Sequence, residues 1–468
     1  MRRLSGNDAA FLYGETPTMP MHTMGTMILD PSDLPGGFDY ERVIKTIRER
    51  IHLLPPFRQR LLEIPMGLGH PVLVDDPEFR LEDHVRRIGA PAPGGLPELA
   101  EVVAHLAETP LERSKPLWEM WVVDGLAGER LALVTKLHHC IMDGASGSAQ
   151  MAGLLDLEPD ALPAPPLEPW DPAPLPSAIE LARSSATSRV VGPGRIAGLL
   201  SDTVGGAIRR ARAEREIGER GEPRPGWQAP RTLFNRSLTS HRSVAFGSVS
   251  LEEVKEVKRA FGVTVNDVLL AIYSLVLRRY LLERDALPEE PLTCSMAVSL
   301  KSDEERKEFS NKVSATSVLL PTDLEDPAAV LEAVHAGASN AKAVLEAVAV
   351  DIIPRWLELA PPLLTPLAVR SMMDLHLVER TAPMINVLLS NVMGPPIPLY
   401  FGGARVEAVY PMGPAGEGMG LNVTVLSNMG RLDIGVMACR EAVPDPWEIA
   451  RGFSWALGEL RVAAETRQ

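Results

Sequence analysis

Cysteine is scarce in this sequence. Only Cys140, Cys294 and Cys439 occur among 468 residues, and they are odd in number and far apart. A disulfide framework needs paired cysteines at regular spacings, so none is expected here. This cysteine usage is typical of a protein of the reducing cytoplasm, which is the predicted localisation.

Long apolar runs are also missing. A helix that crosses a membrane needs roughly 18 or more consecutive apolar residues, and no stretch provides them. The longest uncharged run, Thr381 to Ala404, is interrupted by Asn386, Asn391 and several prolines, which is typical of strand and loop. The first residues, MRRLSGNDAAFLYGE, lack the apolar core of a secretory signal. We therefore expect a protein that is soluble or peripheral to a membrane.

Basic residues are too few for a nucleic-acid-binding face. The chain has 47 Lys and Arg against 61 Asp and Glu, a net charge of −14. Binding to a phosphate backbone needs a basic surface, so nucleic acid is excluded as a partner. The apolar content of 45% and the charged content of 23% are ordinary for a globular protein, which argues against global disorder.

Proline, by contrast, is abundant and marks the organisation of the chain. Eight of its 42 prolines fall within residues 159–176. Such a stretch cannot be the interior of a helix or a central strand. Because the chain is also too long for one compact core, we predict a first domain at 1–158, a partly helical linker at 159–235 and a second domain at 236–468.

Local patterns predict an α/β structure in both domains. In the first, strands at Trp118–Val123 and Leu131–Leu137 flank a turn that starts at Asp124. In the second, Ser250 and Glu253 are placed as the capping box of a helix. The other predicted elements are helices at Glu98–Glu108, Gly144–Leu155, Asp267–Leu282 and Pro446–Ala464, strands at Thr293–Leu300, Val313–Leu320 and Ile385–Ser390, and a hairpin turning at Asn428, Met429 and Gly430.

The most informative string is KLHHCIMDG at 136–144. Adjacent residues of an extended segment point to opposite faces, so one of His138 and His139 can face a cleft while the other packs behind it. Asp143 and Gly144 follow where the chain turns towards the predicted helix. Imidazole has an unperturbed pKa of about 6.5, which suits proton removal from an alcohol near neutral pH. The string therefore predicts a general base for hydroxyl attack on a thioester carbonyl, with no covalent enzyme intermediate.

Other roles for this string stay open at this point. Histidine pairs are more often buried or capping residues than catalytic ones. His138, His139 and Asp143 are possible zinc ligands, but adjacent histidines diverge and no second cluster follows at ligand spacing. Cys140 could be a nucleophile, but its place beside a histidine in sequence does not give the spatial pairing that a thiolate needs. A small core residue is the favoured interpretation of Cys140.

Three motifs resemble those of one family. His138 to Gly144 match the HHxxxDG motif of coenzyme A-dependent acyltransferases, which also occurs in condensation domains of peptide synthetases. Pro116-Leu117-Trp118 resembles the PLW motif, and Asn266-Asp267 the ND motif, of the wax ester synthase/diacylglycerol acyltransferase family.

Further blocks extend the resemblance nearly from end to end. The opening LSGNDAAFLYGETPTMPMH, the block RTLFN at 231–235 and SNVMGP at 390–395 are similar to the same family, and they occur in the same order. Met393 is a departure, since the family often has proline there.

The resemblance implies two chloramphenicol-acetyltransferase-like α/β domains, each a mixed β-sheet flanked by helices, with an active-site tunnel at their interface. His139 would be the general base, Asp143 would hold the motif through a charge partner, and Asn266 would position substrate or stabilise an oxyanion. Acyl-CoA would be the donor and diacylglycerol or a long-chain alcohol the acceptor, with no cofactor and no metal. The implied catalytic residues are His138, His139, Asp143, Gly144 and Asn266, and the implied substrate-binding residues are Pro116, Leu117, Trp118, Asp267, Asn391, Gly394 and Pro395.

Structural roles compete with these assignments. Trp118 is better explained, from its residue type, as a core or tunnel-wall aromatic than as a catalytic group. Asn266 follows a Val-Thr-Val run and is as well suited to capping a helix as to assisting catalysis. Gly394, Pro395 and Pro396 predict a turn, whatever else they do.

Two segments are candidates for peripheral contact with a membrane or a lipid droplet. Ala178 to Arg220 carries eight arginines against five acids, and apolar residues between Leu199 and Ile208 could form a stripe beside them. A helix packed on its own protein is an equal alternative. Ile352 to Leu377 is apolar but broken by proline, and a core or tunnel-lining helix pair is the favoured interpretation there.

Three functions follow from these observations. The first is an O-acyltransferase that forms triacylglycerol or wax ester. The second is a condensing enzyme of the same fold that acylates an amine or a carrier-bound acceptor, and the third is a catalytically silent lipid-binding relative. The PLW and ND motifs favour the first, and the intact His139 argues against the third.

Overall fold

The computed structural model describes residues 1–34, 36–141, 152–162, 165, 170–186, 193–219, 228–299, 313–347 and 352–467. These residues form two six-stranded mixed β-sheets flanked by helices, together with a small three-stranded sheet. The predicted fold of two chloramphenicol-acetyltransferase-like α/β domains is confirmed.

The strands and helices of the described residues are numbered along the chain. The strands are β1 Arg2–Arg3, β2 His22–Asp30, β3 Gln59–Leu62, β4 Val72–Asp75, β5 Val85–Gly89, β6 Trp118–Asp124, β7 Leu131–His138, β8 Arg242–Ser250, β9 Leu292–Ser299, β10 Val313–Leu320, β11 Val387–Val392, β12 Tyr400–Phe401, β13 Ala404–Met412, β14 Leu421–Asn428 and β15 Arg431–Cys439. The helices are α1 Gly6–Gly14, α2 Tyr40–Arg50, α3 Leu96–Glu108, α4 Ala178–Ala186, α5 Pro193–Glu219, α6 Leu251–Phe261, α7 Val265–Leu282, α8 Pro327–Ala347, α9 Ile352–Leu357, α10 Leu364–Asp374, α11 Leu377–Arg380 and α12 Trp447–Glu465.

The first large sheet has the strand order β12-β13-β2-β7-β6-β5. Only β5 and β6 run parallel, and the other neighbours are antiparallel. All eight residues of β7, LALVTKLH, are buried, because apolar clusters cover both faces of the sheet. A strand buried in this way ends at the His138-His139 pair and fixes its position.

The second large sheet has the order β10-β9-β11-β14-β15-β8, with β11 parallel to both of its neighbours. Its most buried covering helix is α7, which contacts both α8 and α12, and these two helices also pack on strands of the sheet. The helix α6 starts where the Ser250 side chain accepts the Glu253 N–H, as predicted, and ends at Gly262, whose φ is 69°. Gly262 lacks a Cβ and therefore adopts this left-handed conformation without strain.

Most predicted elements outside the linker are confirmed, with ends shifted by at most two residues. The hairpin between β14 and β15 turns at Met429 and Gly430, which both have positive φ, as a two-residue turn between twisted strands requires. The predicted helix at Gly144–Leu155 lies largely outside the described residues; within its range, Ala152–Leu154 form a 3₁₀ turn.

The predicted domain boundaries need one correction. The strands β12 and β13, residues 400–412, lie in the predicted second domain, but they pair with β2 of the first sheet. The chain leaves the second sheet after β11, completes the first sheet, and then returns to form β14. Sequence order could not reveal this exchange, because β13 has the same alternating pattern as a strand of either sheet.

The two large sheets meet directly at β13 and β15. The carboxylate of Asp433 on β15 accepts the N–H of Val409 on β13 at 3.0 Å. Two residues further, a Cβ added at Gly435 would overlap the carbonyl oxygen of Pro411. Only glycine therefore allows the two backbones to approach this closely.

The linker contributes two described helices. In α4, Leu181 packs against the small sheet on Ile64, Val72 and Val74. The longer α5 starts at Pro193 and packs against α8 and α9.

Within the described ranges, no single helix is long and apolar enough to cross a membrane. The bent pair α6 and α7, which meet at 102°, passes that test together by length and composition.

Candidate active site

The His138-His139 pair lies at the end of β7, between two neighbouring segments. The His138 N–H donates to the carbonyl of Leu117 at 3.0 Å, and the His139 N–H donates to the carbonyl of Met21 at 2.8 Å. Backbone hydrogen bonds therefore connect the histidine motif to the PLW motif on one side and to the opening block of the sequence on the other.

His138 is completely buried and its ring is held at both nitrogens. Its Nδ1 accepts the backbone N–H of Cys140 at 3.1 Å. An accepting Nδ1 places the proton of a neutral imidazole on Nε2, and Nε2 lies 2.8 Å from Oε2 of Glu15. The ring of His138 is thus fixed in orientation and tautomer by groups within the protein.

Glu15 is the centre of a buried charged cluster behind the motif. Its carboxylate also lies 3.1 Å from Arg113 and 3.9 Å from Nε2 of His22. Burial acts to raise the pKa of Glu15, but the hydrogen bond and charge of His138, with Arg113 and His22, outweigh it and lower the pKa to about 2. Glu15 is therefore ionised at neutral pH and presents a fixed negative charge to His138.

His22 is buried beside this cluster and remains neutral. Its Nε2 accepts the backbone N–H of Leu111 at 3.3 Å. Burial, followed by the positive charge of Lys136, lowers the pKa of His22 well below 6.5. Lys136 is itself buried, which lowers its pKa to about 8. The space behind the motif thus contains charges that compensate each other.

His139 occupies the other side of the strand and is only partly buried. Its ring stacks on the ring of Phe11, with centroids 3.9 Å apart and an interplanar angle of 11°. Phe11 and Glu15 belong to the last turn of α1 and its C-cap, so one helix end contacts both histidines. This helix begins at a capping box formed by Ser5 and Asp8.

The ND motif lies at the start of α7, in the second domain. Thr264 caps this helix, so the predicted alternative of Asn266 as the N-cap residue is wrong. The Asn266 amide instead donates to Sδ of Met296 at 3.2 Å and accepts from Nδ2 of Asn391 at 3.2 Å. A thioether is a weak acceptor, so the Asn266 N–H groups can turn to a better acceptor at little cost.

Asp267 makes structural contacts, and its predicted role in substrate binding stays a prediction. Its buried carboxylate accepts the N–H of Thr264 at 2.9 Å and completes the capping box of α7. It also lies 2.8 Å from Nδ1 of His335 on α8. Both contacts hold the Asp267 carboxylate among the helices. Asp267 is the third residue of α7, the position from which a carboxylate can accept a free N–H at the start of a helix.

The PLW side chains form part of the core. Pro116, Leu117 and Trp118 are all buried, and the Trp118 indole donates to the carbonyl of Phe57 at 2.8 Å. The Trp118 ring also stacks on His84, with centroids 4.7 Å apart. The structure supports the core interpretation of Trp118, and the contact of this motif with substrate stays a prediction.

The remaining predicted residues lie at a turn or outside the described ranges. Gly394 follows β11, its N–H donates to the Ser427 hydroxyl at 3.0 Å, and a Cβ there would overlap the Ser427 carbonyl oxygen. Pro395 is exposed in the same turn. Asp143 and Gly144 are outside the residues that the structure describes.

The remaining alternatives for the motif were a cysteine nucleophile and a metal site. Cys140 is fully buried, and burial raises the pKa of its thiol well above the ordinary value, so it is not an activated nucleophile. Among the described residues, no group of three His, Cys, Asp or Glu side chains could hold a metal ion.

Comparisons with known proteins agree along the whole chain. The wax ester synthase/diacylglycerol acyltransferase catalytic domain matches residues 4–269, and the C-terminal domain of that family matches residues 309–461. A Mycobacterium tuberculosis protein, provisionally named a diacylglycerol O-acyltransferase, is 37% identical over 468 residues, covering 98% of this chain and 90% of that protein.

The chain belongs to the wax ester synthase/diacylglycerol acyltransferase family.

Solved structures extend the comparison. The wax ester synthase/diacylglycerol acyltransferase of Marinobacter aquaeolei VT8 is 30% identical, with a TM-score of 0.72, covering 99% of this chain and all of that one. The first condensation domain of the calcium-dependent antibiotic synthetase is 16% identical, with a TM-score of 0.59 and coverage of 99% and 96%, and it shares the fold alone. Membership of the family makes this chain an acyl-CoA acyltransferase.

Sequence reasoning missed two residues that contact the histidine pair, Phe11 and Glu15. Phe11 and Glu15 lie in the opening block that resembles the family, but nothing in their type or spacing points to His138 and His139. Their contacts join segments that are far apart in sequence and depend on how α1 crosses the end of β7. The only available signal was the spacing of four residues, which places Phe11 and Glu15 on one side of a helix.

Proposed function

We propose that the protein transfers a long-chain acyl group from acyl-CoA to the hydroxyl of diacylglycerol or of a long-chain alcohol. The observation that carries this proposal is the contrast between the two histidines. His138 is completely buried, with a hydrogen bond at Nδ1 and the Glu15 carboxylate against Nε2, whereas His139 is partly exposed and stacks on an aromatic ring. Of the two, only His139 is placed to exchange a proton with a substrate.

The reaction needs one base and no covalent enzyme intermediate. The imidazole of His139 removes the proton of the acceptor hydroxyl as that oxygen attacks the thioester carbonyl. The resulting tetrahedral intermediate expels the coenzyme A thiolate, and the imidazolium returns the proton to the sulfur. An ester and a free thiol are formed, and His139 is neutral again. Acyl-CoA is consumed as a substrate, and this sequence of steps requires no cofactor.

The surroundings of His139 suit this cycle. Stacking on Phe11 restricts the ring to one plane, which orients a nitrogen towards the acceptor and lowers the entropic cost of reaching the transition state. The carboxylate of Glu15 contacts His138, which precedes His139 in the chain. Its negative charge, fixed behind the motif, would favour the transient imidazolium of His139.

The amide pair of Asn266 and Asn391 is the proposed source of oxyanion stabilisation. One N–H of Asn266 now points at the Met296 sulfur, and it would turn to the oxygen of the tetrahedral intermediate. A preorganised donor of this kind typically lowers the barrier by about 3 kcal/mol. Asn391 would hold the Asn266 carbonyl oxygen and so keep the donor side of the amide turned towards the substrate.

The acceptors in this proposal reside in lipid layers. We therefore also propose that the enzyme works in the cytoplasm in peripheral contact with a membrane or a lipid droplet.

A substitution at His139 tests the proposal directly. Thiol release from long-chain acyl-CoA would be measured with diacylglycerol, a fatty alcohol and an amine as acceptors. We expect activity with the two hydroxyl acceptors, and a loss of roughly 10²–10⁴-fold in kcat for His139→Ala. The control is His105→Ala, since His105 is exposed on α3.

Two results would overturn the proposal. An unchanged rate in the His139→Ala variant with every acceptor would remove the assigned base. Thiol release that depends on the amine alone would assign the protein to the condensing reaction instead.

A further inference from the structure

The linker helix α5 carries an exposed apolar stripe. Its side towards α8 and α9 is buried, with Leu199 and Ile217 only 2% exposed. Leu200, Val204 and Ile208, spaced four residues apart, are between 48% and 59% exposed. Residues at this spacing lie on one side of a helix, so the stripe is continuous along two turns.

A second exposed apolar stripe lies on α10 and the residue before it. Leu363, Leu364 and Leu367 are between 62% and 63% exposed. The sequence favoured a core or tunnel-lining helix pair for Ile352 to Leu377, and this interpretation is wrong for these three side chains. The helix α10 packs on α1 and α11, and these contacts leave the three leucines largely exposed.

The helix α9 links the elements that carry the two stripes. The Trp356 indole on α9 donates at 2.9 Å to the hydroxyl of Thr203, which lies between Leu200 and Val204 on α5. Arg355 of the same helix forms an ion pair with Asp202 at 2.9 Å. Since α9 leads into α10 and contacts α5, it joins the two stripes laterally.

We use the term apolar surface for the six side chains of these stripes. They are Leu200, Val204, Ile208, Leu363, Leu364 and Leu367.

The apolar surface is connected to the active site through α1. The Gly6 N–H donates to the Glu358 carboxylate at 2.6 Å, and a Cβ at Gly6 would overlap the backbone of Glu358. The start of α1 is therefore fixed against the segment between α9 and α10. The other end of α1 carries Phe11, which stacks on His139. One helix of nine residues thus spans from the apolar surface to the proposed base.

We propose that the apolar surface lies on a lipid layer and that the water-insoluble acceptor enters the enzyme there. Exposed apolar area of this extent is unfavourable in water and marks an interaction site. Arginines accompany both stripes: Arg212 is one turn after Ile208, and Arg370 is three residues after Leu367, and both are exposed. Apolar side chains bordered by arginine match the acyl region and the anionic headgroups of a lipid layer.

We favour a lipid layer over a protein partner because the lipid layer contains the acceptor of the proposed reaction. The proposal rests on the proposed function, because diacylglycerol is the acceptor that only a lipid layer can supply. A surface joined to the helix that holds the ring of His139 brings the enzyme to its substrate.

Vesicle flotation tests the surface independently of catalysis. The vesicles contain phosphatidylcholine, phosphatidylglycerol and diacylglycerol, and the variant combines Leu363→Glu, Leu364→Glu and Leu367→Glu. The matched control is Val462→Glu, because Val462 is 61% exposed on α12, outside the apolar surface. We expect the triple variant to lose on the order of tenfold or more of its vesicle binding, and the control to bind like the wild type. The Tm of both variants checks that the fold is retained.

A comparison of two acceptors then tests whether the apolar surface delivers diacylglycerol from the vesicle to the enzyme. With vesicle-borne diacylglycerol the triple variant should lose about tenfold or more of its rate, as its binding does, whereas with a short, water-soluble alcohol it should equal the wild type. Equal flotation of variant and wild type would overturn the proposal. A wild type that binds no vesicles, but forms a dimer that the triple variant cannot form, would assign the surface to a second copy of the chain. A wild type that floats but acylates no acceptor would refute the proposed function and leave the lipid surface supported.

Discussion

Nε2 of His138 lies 2.8 Å from Oε2 of Glu15, in a region that solvent hardly reaches. The inner histidine of the pair is thereby occupied by contacts within the protein, and the outer one, His139, is the base in the proposed reaction. Because Phe11 and Glu15 come from the same helix end, a displacement of α1 changes the orientation of both histidines at once.

The first prediction concerns Glu15 as a positioning residue. We expect Glu15→Gln to lower kcat about 10-fold to 100-fold with little change in KM, because the neutral amide neither fixes His138 equally well nor favours the imidazolium of His139. Steady-state kinetics over a range of pH would show this, together with a shift of the kcat profile to a lower apparent pKa. Glu112→Gln, at an exposed position, is the control. A purely structural role would lower the amount of folded enzyme and leave the pH profile unmoved.

The second prediction is a pH dependence of stability. The pKa of Glu15 is about 2 in the folded protein, below its ordinary value of 4.5. Ionised Glu15 therefore stabilises the fold above pH 4.5, and this contribution is lost as the pH falls from 4.5 towards 2. The difference in unfolding free energy between wild type and Glu15→Gln should be constant at neutral pH and shrink below pH 4.5. Urea denaturation at a series of pH values would measure it, and a difference that grows on acidification would contradict it.

The third prediction concerns the amide pair. Asn266→Ala should lower kcat by roughly 10²–10³-fold if its N–H stabilises the oxyanion. Asn391→Ala should cost less, and the double variant should be close to Asn266→Ala alone, because Asn391 acts through Asn266. A double-mutant cycle on kcat/KM measures the coupling. Fully additive effects would show that the 3.2 Å contact between the two side chains plays no part in the reaction.

The fourth prediction separates Trp118 from the chemistry. Trp118→Phe removes the donor to the buried carbonyl of Phe57, so we expect a loss of about 1–3 kcal/mol in unfolding free energy. The kcat per folded molecule should stay within about threefold of the wild type, which corresponds to well under 1 kcal/mol of barrier. Thermal unfolding and single-turnover rates on the same sample would test both parts. A large fall in rate with an unchanged Tm would return this residue to the substrate site.

Local sequence was sufficient for most of the fold. The hairpin of β6 and β7 was predictable because alternation and an Asp-Gly turn occur within one short segment. The helix α6 was predictable from its own caps, Ser250 and Gly262. The position of His139 at a strand end followed in the same way from its immediate neighbours.

Long-range contacts were not predictable from the sequence. Glu15 meets His138 only because β2 pairs with β7 and places α1 across the strand end. Thr264 rather than Asn266 caps α7, since two polar residues separated only by Val265 suit the same position and the backbone conformation decides between them. The exposure of Leu363 and Leu364 depends on which side of α10 meets α1, and hydrophobicity alone does not give that direction.

The excursion of residues 400–412 into the first sheet has a consequence for how the chain is made. Until β13 has been synthesised, β2 is an unpaired sheet edge on the nascent first domain. The N-terminal half therefore cannot finish folding on the ribosome ahead of the C-terminal half, and a cut in the linker would leave the two pieces clasped together. An enzyme cut in the linker should therefore stay a single particle, because β13 of the C-terminal piece completes the sheet of the N-terminal piece.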